Sequence, residues 1–566
     1  MSKIPLPEPE PYVSSYPVPS CAVPVSAGMI VAVPADRLAS PLKSGRDLRD
    51  ADRSALVIGG TEKIRTGSRV LFCKIVAVTE AVVARDGQVR AEGRPYDHAT
   101  LGPLEDWLDA QAGPGVIDGI AERAVLDKKH VKGKYRRLLT AAFMIRVLVL
   151  WTLMPEAQLS DVIIALAGDL ALLSWSRQWH PASERACLDW RKALGPAPLE
   201  ELQAIALGAA AGEHREHPGE FLTAGTQEPL AVNSFDGSLL RVPDTPANRA
   251  AFGSVGTADD SAAWPCVRLF PLNNCLTRSL LAMPWGPAGS DKTASEQRLL
   301  DAVMQDYGHV LGKDQVWVLD RLWHGTGRLA ALARRTHFLA RLKSDIELKR
   351  TSVTLPDGSY RAEISGDGIT MEVRVIEYYA EVEGQETEEM FCLITSLLDW
   401  EDYPAIELAR LYKWRWDGSE TALREAKAPL HGAGPGTGAM LRSGSPLLIA
   451  QEIAAWAVST EMTRGVTRCA ARAAVPARKG RHAGQPVRSR DLSLTRARRL
   501  ILAGIRSGAT GYKALTREIG RFRNTCDRDR HRARKSKSPS TFPHAGLKDT
   551  VTRIAPAVIT LANTPV

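Results

Sequence analysis

At 566 residues the chain is several times the length of a typical domain, so two to four domains with at least one sizeable core are expected. Hydrophobic residues make up 44% and charged residues 24%, a composition that belongs to folded globular proteins and excludes wholesale disorder. The formal net charge of +9 favours an anionic partner without identifying one.

Targeting and redox signals indicate a cytoplasmic protein. The chain begins with prolines and acids where a signal peptide needs a basic and then an apolar run, so no export signal is predicted. The most apolar run, LLTAAFMIRVLVLWTLM at residues 138–154, is short for a membrane span and has Arg146 at its middle, so a buried globular helix is predicted. The eight cysteines form no C-x-x-C pair, which predicts neither a zinc site nor a disulfide framework.

The residue pattern divides the chain into four regions. Residues 1–114 are an unassigned extension, of which about the first 50, rich in proline, are predicted to be a flexible arm. Residues 115–215 have helical periodicity and a basic stretch, which suits a DNA-binding domain of the helix-turn-helix kind; a plain helical bundle with a basic edge is the alternative. Residues 228–462 are predicted to form the main α/β domain, and residues 463–566 a basic C-terminal region.

Strand and helix patterns in residues 228–462 predict a mixed sheet. PLAVNSFDG and VRLFPLNNCLTRSLLAMPWG have strand character, and SEQRLLDAVMQDY, QVWVLD, GTGRLAALARR and THFLARLK then alternate between helix and strand. This order places the domain in the α/β (α+β) class, with a sheet flanked by helices. A β-rich stretch at about residues 344–399 interrupts the alternation before helices resume.

Positive charge is concentrated near the C-terminus. Residues 464–537 contain 22 Lys and Arg against 4 Asp and Glu, a net charge of +18, whereas the whole chain carries only +9. Such a concentration is typical of a surface that binds nucleic acid. A merely solvated basic tail is the alternative, although helical stretches such as TRARRLILAGIRSG count against it.

Three acids occupy positions that suit metal-dependent phosphoryl transfer. Asp236 and Asp320 each follow a predicted strand, and Glu420 begins a later helix. Two magnesium ions about 3.5–4 Å apart can activate the attacking oxygen and stabilise the leaving one, and they need only two or three carboxylates as ligands. The order Asp, Asp, Glu on strand, strand and helix is typical of ribonuclease-H-like nucleic-acid enzymes. Each acid taken alone is more simply a structural carboxylate at a strand turn.

The stretch YKWRWDGSETALREAK, residues 412–427, combines aromatic, basic and acidic side chains. Glu420 and Lys427 are seven residues apart, so on a helix they share one face. Tyr412 and Arg415 lie on the preceding helical turn, from which they can reach DNA phosphates or hold the acid in place. The residues DGS, which lie between Arg415 and Glu420, are expected to interrupt or recap the helix. Taken alone, the stretch also fits an exposed amphipathic helix.

This stretch resembles the Tyr-Arg-Glu-Lys signature of DDE transposases of the insertion-sequence-four family. The signature places two, three and six residues between its four members, and the chain has two, four and six. The strict position of the acid is Ser419, a poor metal ligand, so the acid is assigned to Glu420. The resemblance covers about residues 115–550. It includes the aspartate segments FDGSLLRVPDTPANRAAFG and VWVLDRLWHGTG, and the helical stretch GAMLRSGSPLLIAQEIAAWAVSTEMTR, which is similar to that of actinobacterial-type members.

The resemblance implies a ribonuclease-H-like catalytic core with a β-strand insertion and a function in DNA transposition and recombination. Asp236, Asp320 and Glu420 would be the catalytic acids and the ligands of Mg²⁺, with Mn²⁺ as a substitute. The residues expected to contact DNA are Tyr412, Arg415, Lys427, Arg321 and Trp323. The enzyme would be an endonuclease that cuts at the terminal inverted repeats of an insertion element and joins the ends to target double-stranded DNA. It would act as a synapsed homodimer at the nucleoid, with no membrane partner.

Three other functions remain open on the sequence alone. The extra residue before Glu420 leaves room for a catalytically silent DNA-binding protein derived from a transposase. A nuclease of the same fold that cuts without joining would need the same acids. An RNA-associated basic protein would explain the charge of residues 464–537, but it leaves the ordered carboxylates unexplained.

Overall fold

The chain divides into two compact units, Met1–Glu92 and Gly93–Val566. The computed structural model describes strand segments 60–66, 69–75, 81–83 and 89–91, and then residues 100–523 and 558–561. Gaps in the described part fall at residues 128–138, 168–181, 217–220, 224, 227, 255–263, 290–295, 321–324, 343–345, 347, 382–388, 431–438, 477–483 and 508–511. The flexible arm predicted for about the first 50 residues lies outside the described residues.

Two antiparallel strand pairs are described in the first unit. Strand β1 (Gly60–Thr66) pairs with β2 (Arg69–Ile75), and β3 (Ala81–Val83) pairs with β4 (Val89–Ala91). These strands lie in the extension, residues 1–114, that the sequence left unassigned.

Six helices are described at the start of the second unit. They are α1 (Pro103–Ala112), α2 (Val116–Arg123), α3 (Ala141–Leu153), α4 (Leu159–Ala167), α5 (Glu184–Leu194) and α6 (Ala197–Glu216). Helix α3 is almost wholly buried, and its Arg146 is paired with Glu105 and Asp118, which compensates the cost of burying the guanidinium. No helix within the described ranges is long and apolar enough to cross a membrane. The apolar run is a globular core helix, as predicted.

The region from residue 231 to residue 341 is built on a mixed sheet. Its elements are β5 (Ala231–Phe235), β6 (Ser238–Arg241), α7 (Pro246–Phe252), β7 (Cys266–Leu269), β8 (Leu272–Asn274), β9 (Leu280–Ala282), β10 (Trp285–Pro287), α8 (Glu296–Asp306), β11 (Gln315–Leu319), α9 (Thr326–Arg335) and β12 (His337–Arg341). Strands β9, β8, β5, β11 and β12 lie side by side in that order. Strands β5, β11 and β12 are parallel, whereas β8 runs antiparallel to β5 and to β9. The fold is mixed α/β with a ribonuclease-H-like core, as predicted.

The central strands are buried on both faces. Every residue of β5 and of β11 is buried, although β5 includes Asn233 and Ser234 and β11 begins with Gln315. Their buried amides satisfy one another: Asn233 donates to Gln315 across β5 and β11, and Asn274 of β8 donates to Asn233. Because a slip in register would leave these amides without partners, the network fixes how the three strands align.

The β-rich insertion continues the same sheet. It comprises β13 (Lys349–Arg350), β14 (Tyr360–Gly366), β15 (Ile369–Glu381) and β16 (Glu389–Thr395), and β16 pairs antiparallel with β12. Asp367 and Gly368, both at positive φ, form the two-residue turn between β14 and β15. Strand β17 (Val558–Leu561) pairs with the end of β15 that β14 does not reach. The predicted β-strand insertion in the sheet is therefore confirmed, whereas its bounds of about residues 344–399 remain a prediction.

A long helix connects the sheet to the helical layer. The remaining helices are α10 (Ala405–Tyr412), α11 (Ala422–Lys427), α12 (Pro446–Arg472), α13 (Leu494–Ser507) and α14 (Tyr512–Arg521). One hydrophobic core contains residues of α1 to α6, the C-terminal half of α12, and α13 and α14. Trp107 of α1 packs against Gly465, where a side chain would collide with its ring. The N-terminal and C-terminal helices thus share a core, while the domain boundaries drawn from the sequence remain predictions.

Candidate active site

Two of the expected acids lie at the same edge of the sheet. Asp236 follows the last residue of β5 and Asp320 follows the last residue of β11. These strands are parallel neighbours, and Val318 is aligned with Ser234 two residues before the acids. Both carboxylates therefore emerge at the carboxyl ends of adjacent strands, where parallel sheets usually place their ligands.

Aromatic packing beneath this edge supports the strand end that carries Asp236. The ring of Phe235 lies 5.0 Å from that of Phe270 and 5.6 Å from that of Trp317, measured between centroids. All three side chains are fully buried or nearly so. Rigid packing of this kind limits the positions that the Asp236 carboxylate can adopt.

The guanidinium of Arg415 links the two aspartates. Its Nη1 atom lies 4.0 Å from an oxygen of Asp236 and 3.9 Å from an oxygen of Asp320. Only 5% of Arg415 is exposed, and its guanidinium also stands 4.9 Å from the Trp416 ring. In the sequence, Arg415 is close only to Glu420. The fold also brings its guanidinium beside both aspartates.

Tyr412 is a buried member of the site. Its ring packs beneath the sheet and meets Phe391 edge to face, with centroids 6.5 Å apart. Burial raises the pKa of Tyr412 to about 12, although a hydrogen bond with Arg415 opposes the increase. Tyr412 is thus buried close enough to Arg415 and Asp320 for both charges to act on its hydroxyl.

A π-helical turn accommodates the extra residue of the signature. Residues Asp417–Thr421 form this turn, and the N–H of Ala422 donates to the carbonyl of Asp417, five residues earlier. A π-turn takes up one more residue than an α-helical turn and is often found at functional sites. The fourth residue between Arg415 and Glu420 therefore fits within a continuous helix, whereas the sequence predicted an interruption or a new cap.

The same turn distinguishes Ser419 from Glu420. Ser419 is 1% exposed, and its hydroxyl donates to the carbonyl of Arg415 at 2.8 Å. The side chain of Glu420 is exposed. Of the two candidate positions for the third acid, only Glu420 presents its side chain to the surface.

Gly418 allows this turn to lie directly on the sheet. A side-chain carbon at position 418 would stand 2.6 Å from the sulfur of Cys275 and 3.2 Å from the Cβ of Ser234. Ser234 lies on β5, two residues before Asp236. The missing side chain therefore brings the segment that carries Glu420 to the strand that carries Asp236.

The acids affect one another electrostatically. Burial raises the pKa of Asp236 to about 6, and Arg415 opposes the increase. The negative charges of Glu296, Asp320 and Glu420 raise it further. Each of these acids is therefore close enough to disfavour the ionised form of Asp236.

Glu296 is a neighbour of Asp236 that the sequence analysis missed. Its carboxylate occupies the space where a side chain at Gly237 would lie, and it accepts a hydrogen bond of 2.9 Å from Arg268. In the sequence, Glu296 only begins an ordinary amphipathic helix, 60 residues beyond Asp236. The chain pattern contains no signal for this contact, because it arises from the packing of α8 against the turn after β5.

Lys427 is the last residue of the signature, and its side chain lies against the start of β6. Its ammonium group donates to the hydroxyl of Ser238 and, at 3.0 Å, to the carbonyl of Leu239. Burial lowers its pKa to about 8, while the charge of Asp236 acts in the opposite direction. The start of β6 therefore holds Lys427 close enough to Asp236 for the charge of the aspartate to act on it.

Two of the residues expected to contact DNA, Arg321 and Trp323, lie outside the described residues. Their role remains a prediction.

The donor set suits a hard cation. Asp236, Asp320 and Glu420 supply only carboxylate oxygens, the ligands that Mg²⁺ prefers. The raised pKa of Asp236 reflects burial and mutual repulsion among the acids, and a divalent cation would relieve both. Within the described part of the chain, no three His, Cys, Asp or Glu side chains lie close enough together to hold one metal ion. One or two carboxylates are enough for Mg²⁺ when substrate phosphates and water complete its shell.

Comparisons with solved structures include a distant similarity to a transposase. No family model matches the chain, and no curated protein matches it. The fold is similar to the piggyBac transposase in a synaptic complex with hairpin DNA, solved by cryo-EM. The sequences are 12% identical, the match covers 74% of this chain and 82% of that chain, and the TM-score is 0.38. A similarity this low carries no argument about function.

Proposed function

We propose that the chain is a DDE-type DNA transposase that cuts the ends of an insertion element and joins them to target DNA. The observation that carries the proposal is the position of one buried guanidinium, that of Arg415, within 4.0 Å of the carboxylates of both Asp236 and Asp320. These acids come from separate strands, and the third acid, Glu420, lies five residues beyond the arginine. The signature and the two aspartate segments, which are far apart in the sequence, thus meet at one sheet edge.

In this proposal Asp236, Asp320 and Glu420 would hold Mg²⁺, or Mn²⁺ as a substitute, and the ion would supply activation of the attacking oxygen and neutralisation of phosphate charge. Arg415 balances the negative charge of Asp236 and Asp320 and would contact a phosphate oxygen of the DNA. Lys427 holds a second phosphate contact next to Asp236. Tyr412 fixes the orientation of Arg415 through its hydroxyl.

The partner would be double-stranded DNA, both the terminal repeats of the element and its target. Part of the basic segment supports this, because six exposed cationic residues lie on α13 and α14: Arg496, Arg499, Arg506, Lys513, Arg517 and Arg521. By contrast, Arg464 and Arg468 of the same segment are buried and cannot contribute to such a surface. A synapsed homodimer at the nucleoid of the cytoplasm belongs to the proposal, since two element ends must meet before joining.

The test is an Mg²⁺-dependent cleavage and joining assay on labelled DNA that carries the flanking element end. Wild type should cut and join, Glu420→Ala should do neither, and Ser419→Ala should keep most of the activity because the serine contacts only backbone. Binding of the end by every variant, measured by gel shift, shows that each is folded.

Two outcomes would replace the proposal. Wild-type protein that binds the end but neither cuts nor joins it would indicate a silent DNA-binding protein derived from a transposase. Cleavage without joining, with a pre-cut 3′-hydroxyl end supplied, would indicate a nuclease of the same fold.

A further inference from the structure

Arg278 has a backbone conformation that residues with a side chain rarely adopt. Its φ is 58°, and within the described residues Asp367 is the only other non-glycine residue at positive φ. Glycine suits this region, because a side-chain carbon there comes too close to the following carbonyl oxygen. Asp367 lies in an exposed turn, whereas Arg278 is 9% exposed and lies between β8 and β9. An arginine kept in a strained and buried position indicates that its side chain has a role.

The loop that carries Arg278 is anchored to β5. The side-chain oxygen of Asn274 accepts hydrogen bonds from the N–H groups of Leu276 and Thr277, at 3.0 and 2.8 Å. The side-chain nitrogen of the same asparagine donates to the carbonyl of Val232, on β5, at 3.0 Å. The N–H of Arg278 donates to the Asn274 carbonyl at 2.9 Å. The backbone of the loop is therefore held against the strand that the first acid follows.

The side chain of Arg278 connects two points of the signature segment. Its Nη1 atom donates to a carboxylate oxygen of Glu425 at 2.6 Å, and its Nη2 atom donates to one of Asp417 at 3.1 Å. Arg490 lies 3.6 Å from the other oxygen of Asp417 and adds a second cation there. Asp417 begins the π-turn and Glu425 lies in α11, so the two carboxylates stand on either side of Glu420 in the chain. One buried guanidinium thus bridges the turn and the helix that follows it.

This bridge acts on the helical register of the segment. A π-turn takes up one extra residue, and the place at which it does so decides which side chains face the site. A shift by one residue turns a side chain by roughly 100° around the helix axis. Such a shift would place Ser419 where Glu420 now lies. An arginine that holds Asp417 at the start of the turn and Glu425 beyond it opposes the shift, because only one register brings both carboxylates to the same guanidinium.

We propose that Arg278 is a positioning residue that selects the register in which Glu420 presents its side chain to the site, an inference that rests on the proposed function of the chain. The role requires the planar fork of a guanidinium, which offers separate donors to two carboxylates, whereas a lysine is a point charge on a flexible stem. It also explains the strained backbone, since a glycine at position 278 could form neither ion pair.

The test is Arg278→Gly, which removes the side chain and leaves the loop in a conformation that glycine adopts freely. Single-turnover cleavage of the labelled end with Mg²⁺ should slow by about tenfold or more, because a small misplacement of a reacting group has an effect of that size. Affinity for the end, measured by gel shift, should stay within about twofold, since only the acid is displaced. Asp367→Gly is the matched control, because it also places glycine at a positive φ, and it should cleave as wild type does.

Hydrogen exchange tests the bridge separately from cleavage. Backbone amides of residues 417–425 should exchange faster in Arg278→Gly than in wild type or in Asp367→Gly, while those of β5 and β11 should be unchanged. If Arg278→Gly fails to fold, Glu425→Gln removes one arm of the bridge from outside the loop and should give the same pattern. The double variant should cleave no more slowly than Arg278→Gly alone, because both changes remove one interaction.

The outcomes separate this inference from the proposed function. Wild-type cleavage by Arg278→Gly would overturn the inference and leave the proposed function standing. Slow cleavage with unchanged exchange of residues 417–425, or equally slow cleavage by Asp367→Gly, would overturn it too. A wild-type protein that does not cleave would count against the proposed function, and the exchange of residues 417–425 would then decide by itself whether Arg278 holds the turn.

Discussion

Gly418 lies so close to Cys275 that a side-chain carbon at position 418 would stand 2.6 Å from the Cys275 sulfur. This contact joins the π-turn of the signature to the loop that follows β8, and it sets the distance between Glu420 and the strand that carries Asp236. The position of the third acid therefore depends on the absence of a side chain two residues earlier.

Substitution Gly418→Ala should both destabilise the protein and remove cleavage. The added methyl group meets a buried sulfur and the backbone of Cys275, so the turn must move away from the sheet at a cost of about 1–3 kcal/mol. Chemical denaturation and the cleavage assay measure the two effects. Gly444→Ala is the control, because its methyl group would make only an ordinary contact of 3.7 Å with Thr245. Full activity in Gly418→Ala would show that the close approach is not required.

Substitution Gly237→Ala should be much milder for stability. The added methyl group meets only the end of the Glu296 side chain, which is flexible and can turn away. The loss is then mainly the Arg268–Glu296 ion pair at a partly exposed position, worth about 0–1 kcal/mol. The measurement is again denaturation, next to Gly418→Ala. A destabilisation equal to that of Gly418→Ala would mean that the Glu296 carboxylate is held rigidly beside Asp236.

Substitution Arg415→Gln should make the protein more responsive to Mg²⁺. Removal of the guanidinium takes away the cation nearest to Asp236 and Asp320, which should lower stability by about 1–3 kcal/mol without divalent ions. The same change strengthens binding of a cation to the acids, so added Mg²⁺ should raise the melting temperature of the variant more than that of wild type. Thermal unfolding with and without Mg²⁺ gives the comparison.

The control for that experiment is Arg410→Gln, which removes an exposed arginine of α10 that pairs with Glu407. It should respond to Mg²⁺ as wild type does. Equal responses in Arg415→Gln and wild type would indicate that Asp236 and Asp320 do not hold the ion.

Glu213 should contribute stability that depends on pH. Burial by itself would raise the pKa of Glu213, but Arg468 at 2.8 Å and Arg472 at 2.6 Å outweigh it, and its pKa lies below the ordinary value of 4.5. A carboxyl whose pKa is lower in the folded state stabilises that state fully above its unfolded pKa. The contribution is lost as the pH falls below 4.5 and through the folded pKa.

The free energy of unfolding of Glu213→Gln should therefore be lower than that of wild type at pH 7, and the difference should shrink as the pH falls below about 4.5. Urea denaturation at a series of pH values measures it. Glu518→Gln, which removes an exposed ion pair with Arg521, should show little difference at any pH. A difference that stays constant down to acid pH would contradict the ion-pair explanation.

Local sequence pattern was enough for the elements of the fold. QVWVL is apolar after its first residue and AVNSF is apolar at three of its five positions, which was enough to predict two short strands, and the acids after them mark the strand ends. The β insertion and the globular nature of the run around Arg146 were also predictable, the first from its strand residues and the second from a charge that a membrane would not accept.

The contacts between distant segments were decided by the tertiary structure. The sequence has one residue more between Arg415 and Glu420 than the signature has, but only the backbone hydrogen bonds show that a π-turn accommodates it. Arg464 and Arg468 belong to the basic segment that was predicted to bind nucleic acid, whereas the packing of α12 buries both side chains. The sequence contained no signal for Glu296 beside Asp236. Periodicity and residue type report what a segment does with its own neighbours, whereas which segments meet depends on packing and on the pairing of buried charge across the whole chain.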